Sequence, residues 1–310
     1  MLVAVTGGLG RIGRAVLAEL AATGYETLCV DVGPVGGQGP GYRRADLREL
    51  WQALDALDGV DAVVHLAGVG VPESHTNHPL LAEQATFAAN TVSTYNVLRA
   101  AAAVGATRVV WASSETVLGA PFAVQAPAYL PLDDDHPTCP ETSYALSKAV
   151  GEDLARHFTR ASGLSVVGLR FSVVMDEGDY PLLRRYWQDP GIGRWNLWSY
   201  VDLRDVAWSC RLALEADVQG AAAVLIAAAD TLMTHPTADL LKATMPEVPV
   251  KRRLGRYESL LNSEQARHLL RYDPRYSWRE TIPGAVEPAV EVEPLSAPPG
   301  MGGSVDRRVV

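Results

Sequence analysis

Three places in this 310-residue chain carry groups suited to chemistry. The first is the turn Thr6-Gly7-Gly8-Leu9-Gly10-Arg11-Ile12-Gly13, which follows a short apolar run and opens a helical pattern. Gly7 permits a tight turn, the spaced Gly10 lets backbone approach a diphosphate, and Gly13 lets helix and strand pack closely. The helix N-terminus then attracts the diphosphate charge. The same glycines also make tight turns that bind nothing, so the strand before and the helix after carry the argument. The second place is Asp31, at the end of the next apolar run, close to the spacing of about 20 residues taken by a ribose-binding carboxylate. A carboxylate there accepts both ribose hydroxyls and repels the 2′-phosphate of NADP. That favours NAD, although Arg11, Arg43 and Arg44 would suit a phosphate and Asp31 would also serve as a loop cap. Asp46 suits either the adenine amino group or a helix N-cap. The third place is Tyr144-Ala145-Leu146-Ser147-Lys148. Phenol and ammonium stand one helical turn apart, on one side. A free phenol titrates near about 10, too high for an efficient base at neutral pH, and a nearby cation favours its phenolate. A surface helix that merely carries Tyr and Lys has the same spacing.

The elements that must position these groups follow from the pattern of apolar residues. Strands are expected at residues 2–5, 27–30, 62–66, 108–112 and 165–170, and helices at 12–22, 47–57, 81–103 and 143–162. The strands are short, apolar and not alternating, as in a parallel sheet covered on both faces. Strand–helix repetition argues for an α/β fold with a doubly wound parallel sheet of the Rossmann type. Right-handed crossovers then place the ligand at the carboxyl ends of the strands. The last third changes character. Residues 176–198 are rich in Arg, Trp, Gly and Pro. A helix at 205–215 and a strand at 222–226 return to the sheet, and 231–280 read as short helices and turns. Residues 1–172, continued by 203–230, are thus expected to bind NAD, while 173–202 and 231–280 form a small C-terminal substrate cap. The Pro-, Gly- and Val-rich residues 281–310 read as a flexible tail.

Bulk properties exclude several classes. A net charge of -9 with no basic run longer than Lys251-Arg252-Arg253 argues against nucleic acid and against an anionic membrane. No apolar run approaches the roughly 18 residues of a membrane span, and no signal-like apolar core follows Met1. Cytoplasm is the expected location. Cys29, Cys139 and Cys210 form no C-x-x-C pair, so neither a disulfide framework nor a thiolate zinc site is suggested, and no metal is expected.

Five stretches in order carry a resemblance: residues 6–13, His65-Leu66-Ala67-Gly68, Asn90-Thr91-Val92, Ser113-Ser114 with Val117 and Gly119, and residues 144–148. Together they resemble the extended short-chain dehydrogenase/reductase superfamily in its NAD-dependent sugar epimerase/dehydratase branch. The resemblance implies that Ser114 hydrogen-bonds the reacting hydroxyl or carbonyl, with Ser113 as the other choice. It implies that Tyr144 removes the hydroxyl proton while C4 of NAD accepts hydride, and that Lys148 holds the nicotinamide ribose. Cofactor contacts are implied for Gly7, Gly10, Arg11 and Ile12 in the turn, for Asp46 and Leu47, for Leu66, Ala67 and Gly68 after the third strand, and for Asn90, Tyr144 and Lys148. Asn90 is implied to break its helix or to bind a water behind the site; an ordinary buried amide bonded to backbone is the plainer reading. A homodimer built from helices 81–103 and 143–162 is implied as well.

Two departures bear on the substrate. Nucleotide-sugar epimerases usually carry Asn shortly after the Leu-Arg strand end, where this chain reads Leu169-Arg170-Phe171-Ser172. They usually carry Arg where Trp198 stands here. Both losses remove groups suited to a diphosphate, and the pattern looks closer to uronate dehydrogenases, which act on free sugar acids. Substrate contacts are accordingly expected from Ser114, Glu115, Ser172, Arg170 and Trp198. Arg184, Arg185 or Arg194 would suit a carboxylate, since the guanidinium fork binds both its oxygens, though each also reads as a solvated surface residue. His75 and His78 would border the pocket. Trp187, Trp195 and Trp198 read as cap core or as a platform for a sugar ring. The leading expectation is an NAD-dependent oxidoreductase acting on a sugar or sugar-acid hydroxyl. An NDP-sugar epimerase or dehydratase with internal hydride return, and an NAD-binding regulator without chemistry, are the rivals.

Overall fold

The computed structural model describes residues 1–33, 41–70 and 79–282. His75, His78 and the expected tail from residue 283 lie outside them. The strands are β1 (Leu2–Thr6), β2 (Glu26–Asp31), β3 (Tyr42–Arg44), β4 (Ala62–His65), β5 (Arg108–Ser114), β6 (Ser165–Phe171), β7 (Val174–Met175), β8 (Val201–Asp202) and β9 (Ala221–Ile226). Seven form one sheet in the order β3-β2-β1-β4-β5-β6-β9, parallel throughout. The helices are α1 (Arg11–Ala22), α2 (Leu50–Ala56), α3 (Pro79–Val104), α4 (Ser143–Ser162), α5 (Leu183–Gln188), α6 (Leu203–Glu215), α7 (Thr237–Thr244), α8 (Glu264–Leu270) and α9 (Trp278–Thr281). Val16 and Leu20 of α1 join Val206 and Cys210 of α6 on one face of the sheet. Ala53 of α2, Val97 and Leu98 of α3, and Phe158 of α4 cover the other. This is the doubly wound arrangement, and it explains why β4 and β6 are buried at every residue rather than at every second one.

Helix α4 carries Tyr144 and Lys148, and its limits are chemically marked. The Thr142 hydroxyl accepts a hydrogen bond from the Ala145 amide at its start, and Gly163 closes it at φ 76°. Its height above the sheet is set by one large ring. Trp111 of β5 is 2% exposed, and a Cβ at Gly151 would stand 2.6 Å from that ring. Helix and strand therefore approach at the distance that only glycine permits.

Segments between β6 and α6 and after β9 pack with residues 117–132 into a further core cluster, called the cap below. The short strands β7 and β8 pair in parallel at its base. Its core holds Tyr180, Trp198, Tyr200 and Trp278, all fully buried, with Trp187 stacked 5.0 Å from Trp278. The structure departs from the sequence expectation in detail. Strand β3 at the sheet edge was not anticipated, because three residues show no period. Helix α2 begins three residues later than expected, at Leu50. At the far end, Thr281 belongs to α9 and Ile282 packs against the cap core, so the fold extends beyond residue 280.

Substituting Gly151→Ala sets two effects against each other. Helix propensity alone favours alanine by about 1 kcal/mol, whereas overpacking against the indole costs about 1–3 kcal/mol. A net loss is expected, read as a lower urea midpoint with an unchanged slope; an equal or higher midpoint would show that the contact does not limit packing.

Candidate active site

The sheet order reverses between β1 and β4, and the loops leaving those two strands meet there. Gly7 has φ 66°, and a Cβ on it would lie 2.7 Å from the Ala67 amide nitrogen. A Cβ on Gly13 would lie 2.2 Å from the Gly7 carbonyl oxygen. Only glycine fits either position. Helix α1 starts at Arg11 on an extended Gly10, and no side chain caps it. Its first amides are thus left for an anion at the crevice. Asp31, at the end of β2, accepts the Leu9 amide at 3.0 Å and the Gly33 amide at 3.1 Å, one on each oxygen. Each oxygen keeps a lone pair for a ribose hydroxyl. Turn and carboxylate together fit a dinucleotide diphosphate and its ribose.

The arginines near this turn are largely engaged. Arg43 donates to the carbonyls of Asp55, Ala56 and Asp58. Arg44 donates to Val32 at 3.0 Å. Arg11 of the turn pairs with Asp176 at 2.9 Å and with Asp179, tying the turn to the cap. Asp46 is bound by the backbone and guanidinium of Arg48, whose hydrogen bonds hold its carboxyl below the usual range. It is not the N-cap of α2, which begins beyond Glu49. The Leu47 side chain is buried in the core, and its carbonyl accepts from Asn96.

Leu66, Ala67 and Gly68 carry the chain from the glycine turn toward Lys148. The Ala67 amide donates to Thr6 Oγ1 at 3.3 Å, and a Cβ at Gly68 would stand 3.8 Å from Lys148 Nζ. Asn90 does not break its helix: α3 runs through it without interruption. Its carboxamide accepts from the Val69 amide at 2.7 Å and donates to the Val69 carbonyl and to Ser147. Those bonds clamp the loop after Gly68 onto α4, so the side chain acts through protein groups.

Neighbouring serines at the end of β5 face opposite ways, as strand residues do. Ser113 donates to Glu152 at 2.9 Å, away from the crevice. Ser114 Oγ accepts from the amide and the hydroxyl of Thr116, which leaves its own proton for the Tyr144 phenol, its hydrogen-bond partner. Burial raises the Tyr144 pKa, the Ser114 hydrogen bond opposes this, and the charge of Glu115 adds to the rise. Lys148 Nζ donates to the Ala112 carbonyl at 2.7 Å and sits 5.5 Å from the centre of the Tyr144 ring. Its ammonium lies over the ring face, and burial brings its pKa down to about 8. Behind it, burial holds His65 at about 3 and therefore neutral, between Thr6 and Thr94.

Two expected substrate contacts are placed elsewhere. Arg170 is 6% exposed and spends its guanidinium on Glu152, at 2.9 Å through both Nε and Nη2, and on Asp134 at 3.1 Å. With the Asp134 carbonyl, four of its five N–H groups are engaged by Glu152 and Asp134, and its charge is balanced inside the fold. Trp198 is fully buried in the cap core and donates to the Pro190 carbonyl. A sugar cannot stack on a ring with no exposed face. Sequence reasoning also missed Asn196, whose amide donates to the Ser199 carbonyl at 2.6 Å and reaches toward Glu115 at 3.5 Å. It lies in a short 3₁₀ turn of the cap, which no motif marks. Glu115 and Ser172 stand beside it, each nearly inaccessible.

A family model described as the NAD dependent epimerase/dehydratase family matches residues 3–184. The chain belongs to that family. Its cofactor is NAD. A short-chain dehydrogenase/reductase superfamily protein from Agrobacterium tumefaciens, solved with bound NAD, matches at a TM-score of 0.67 and 25% identity, covering 91% of this chain and 94% of that one. The uronate dehydrogenase of Pseudomonas syringae pv. tomato is 26% identical over 231 residues, 70% of this chain and 79% of that protein. A putative UDP-glucose 4-epimerase of Methanocaldococcus jannaschii is 29% identical over 187 residues, 58% of each chain. Among the described residues no helix is long and apolar enough to cross a membrane.

Replacing Asp31 by alanine removes the ribose acceptor and the repulsion toward a 2′-phosphate together. Calorimetry is expected to show NAD affinity falling about tenfold, or ~1.4 kcal/mol, with NADP affinity equal or higher. Unchanged NAD affinity would remove Asp31 from the site.

Proposed function

We propose that this chain is an NAD-dependent dehydrogenase that oxidises a hydroxyl of a sugar or sugar acid, taking an anomeric hydroxyl to a lactone. The convergence of the Ser114 hydroxyl on the Tyr144 phenol, with Lys148 over the phenol ring, carries this reading. NAD supplies the hydride acceptor when bound. With substrate present, Ser114 turns the proton that now faces the Tyr144 phenol to the substrate oxygen, and Tyr144 takes the hydroxyl proton as the C–H bond breaks. Lys148, 5.5 Å from the centre of the phenol ring, supplies the positive charge that favours phenolate. The similarity to a uronate dehydrogenase over 79% of that protein supports net oxidation. The epimerase reading rests on a shorter match, 58% of the relative, and the two positions that commonly hold a nucleotide diphosphate carry Ser172 and Trp198 here.

We also read the chain as a homodimer in the cytoplasm. Val92 and Tyr95 of α3 and Leu146 of α4 are 42%, 43% and 45% exposed on adjacent helices, which suits a second copy. Cys29, Cys139 and Cys210 are all unpaired, as a reducing compartment would keep them. Light scattering of the purified protein should give twice the chain mass and Tyr95→Glu about half of that; a monomeric parent protein would end this part of the reading.

The reaction is tested by following NADH absorbance and sugar products with aldoses, uronates and UDP-sugars. Steady NADH release with a free sugar or acid is expected, whereas conversion without net NADH would establish the epimerase. Tyr144→Phe should lower kcat by roughly 10²–10⁴-fold, the range for a lost proton-transfer group, with NAD affinity within twofold. Unchanged turnover would sink the proposed base.

A further inference from the structure

Three polar groups meet at the end of the crevice, from three parts of the fold. Glu115 follows β5, Ser172 follows β6, and Asn196 belongs to the cap. They are 3%, 4% and 2% exposed. Ser172 and Asn196 both turn toward the Glu115 carboxyl, yet Oε2 of Glu115, Oγ of Ser172 and Oδ1 of Asn196 are shut from solvent and have no partner at ordinary hydrogen-bond distance. Buried polar atoms are nearly always satisfied, so three such atoms in one corner call for a ligand or an enclosed water.

The type of each free valence can be read. The Asn196 amide nitrogen donates to the Ser199 carbonyl, which fixes Oδ1 as a bare acceptor. Ser172 offers a hydroxyl that both donates and accepts. Among the described residues, Glu115 meets the uncharged Ser172 and Asn196 side chains there and no cation that would hold it ionised. Its burial lifts its pKa to about 8, so near neutral pH it carries a proton and donates. The titratable group that faces it is the Tyr144 phenol of α4. Among the described residues the corner is thus a mixed donor–acceptor set without a positive charge.

We propose that Glu115, Ser172 and Asn196 select hydroxyl groups and reject a carboxylate, so that the substrate of this dehydrogenase is a neutral aldose rather than a uronate. This rests on the dehydrogenase reading above. A sugar hydroxyl both donates and accepts, and so satisfies Asn196 Oδ1 and the Glu115 proton alike. A carboxylate only accepts; it would set its charge against Asn196 Oδ1 and compete with the neighbouring carboxyl for one proton. The buried guanidinium of β6 cannot neutralise it, because Glu152 and Asp134 already do so for Arg170. Sites that are built around hydrogen bonds to hydroxyls discriminate far more strongly than apolar pockets do.

Pairs of sugars that differ only at C6 give the test: D-galactose against D-galacturonate, and D-glucose against D-glucuronate, each at saturating NAD and pH 7. For the better-used pair, kcat/KM for the aldose should exceed that for the uronate at least tenfold. The aldose KM should rise about tenfold from pH 7 to pH 9 as Glu115 loses its proton, and Glu115→Gln, which cannot ionise, should flatten that rise. Preference for the uronate, or a rise in KM that persists in Glu115→Gln, overturns this inference while leaving the dehydrogenase in place. Absence of NADH with every aldose and uronate overturns both.

Discussion

Arg170 leaves β6 into a space closed to water, where Glu152 of α4 binds its Nε and Nη2 and Asp134 binds its Nη1. The same Glu152 receives the Ser113 hydroxyl from β5. One carboxylate therefore ties two strands of the sheet to the helix that carries Tyr144 and Lys148. A buried pair of this kind adds little net stability when compared with well-packed apolar residues, because desolvating the charges offsets their attraction. Its effect is geometric. Removing one partner leaves a buried charge, which costs about 3–5 kcal/mol, so neither α4 nor the ends of β5 and β6 can shift alone. Lys148 precedes Glu152 by one helical turn, and Ser114 follows Ser113 by one residue. The register of the ion network is thus the register of the active-site groups.

The cofactor side is held by shape where the chemical side is held by charge. Gly7 and Gly13 permit backbone contacts that any Cβ would forbid, and they bring the loops of β1 and β4 together at the sheet's switch point. Asn90 then fastens the next stretch of the β4 loop to Ser147 of α4. Cofactor turn, loop and α4 are consequently one mechanical unit. Arg11 extends that unit to the cap through Asp176 and Asp179.

Much of this was legible in the sequence, and what was not has a physical cause. Long elements declare themselves through period and caps, so α1, α4 and six of the sheet's seven strands could be read locally. Strands of two or three residues, such as β3, β7 and β8, have no period to read. The glycine turn and the Tyr144–Lys148 spacing are local too, and the structure brings those segments to one crevice. Arg170 misled because a charge at a strand's carboxyl end reads as facing ligand, and its partners at 134 and 152 are set only by tertiary packing. Trp198 misled for another reason. It and Leu197 both adopt left-handed backbone, at φ 53° and 58°, and the absent side chain of Gly193 makes room for the indole to turn inward. No pattern of residue types predicts that reversal, and Asn196 was overlooked on the same turn.

Glu115 joins the binding problem to the chemical one. Its charge is among the causes that raise the Tyr144 pKa, after burial and against the Ser114 hydrogen bond. An ionised Glu115 would therefore resist the formation of phenolate, the species that the proposed reaction needs as its base. The burial that keeps Glu115 protonated spares Tyr144 that repulsion at neutral pH. Lys148 cannot compensate alone, since its ammonium is directed to the Ala112 carbonyl and its own charge is disfavoured by burial. Enclosing a carboxyl beside a phenolic base thus serves both only while the carboxyl stays neutral. That condition links the polarity of the proposed substrate corner to the basicity of the proposed base.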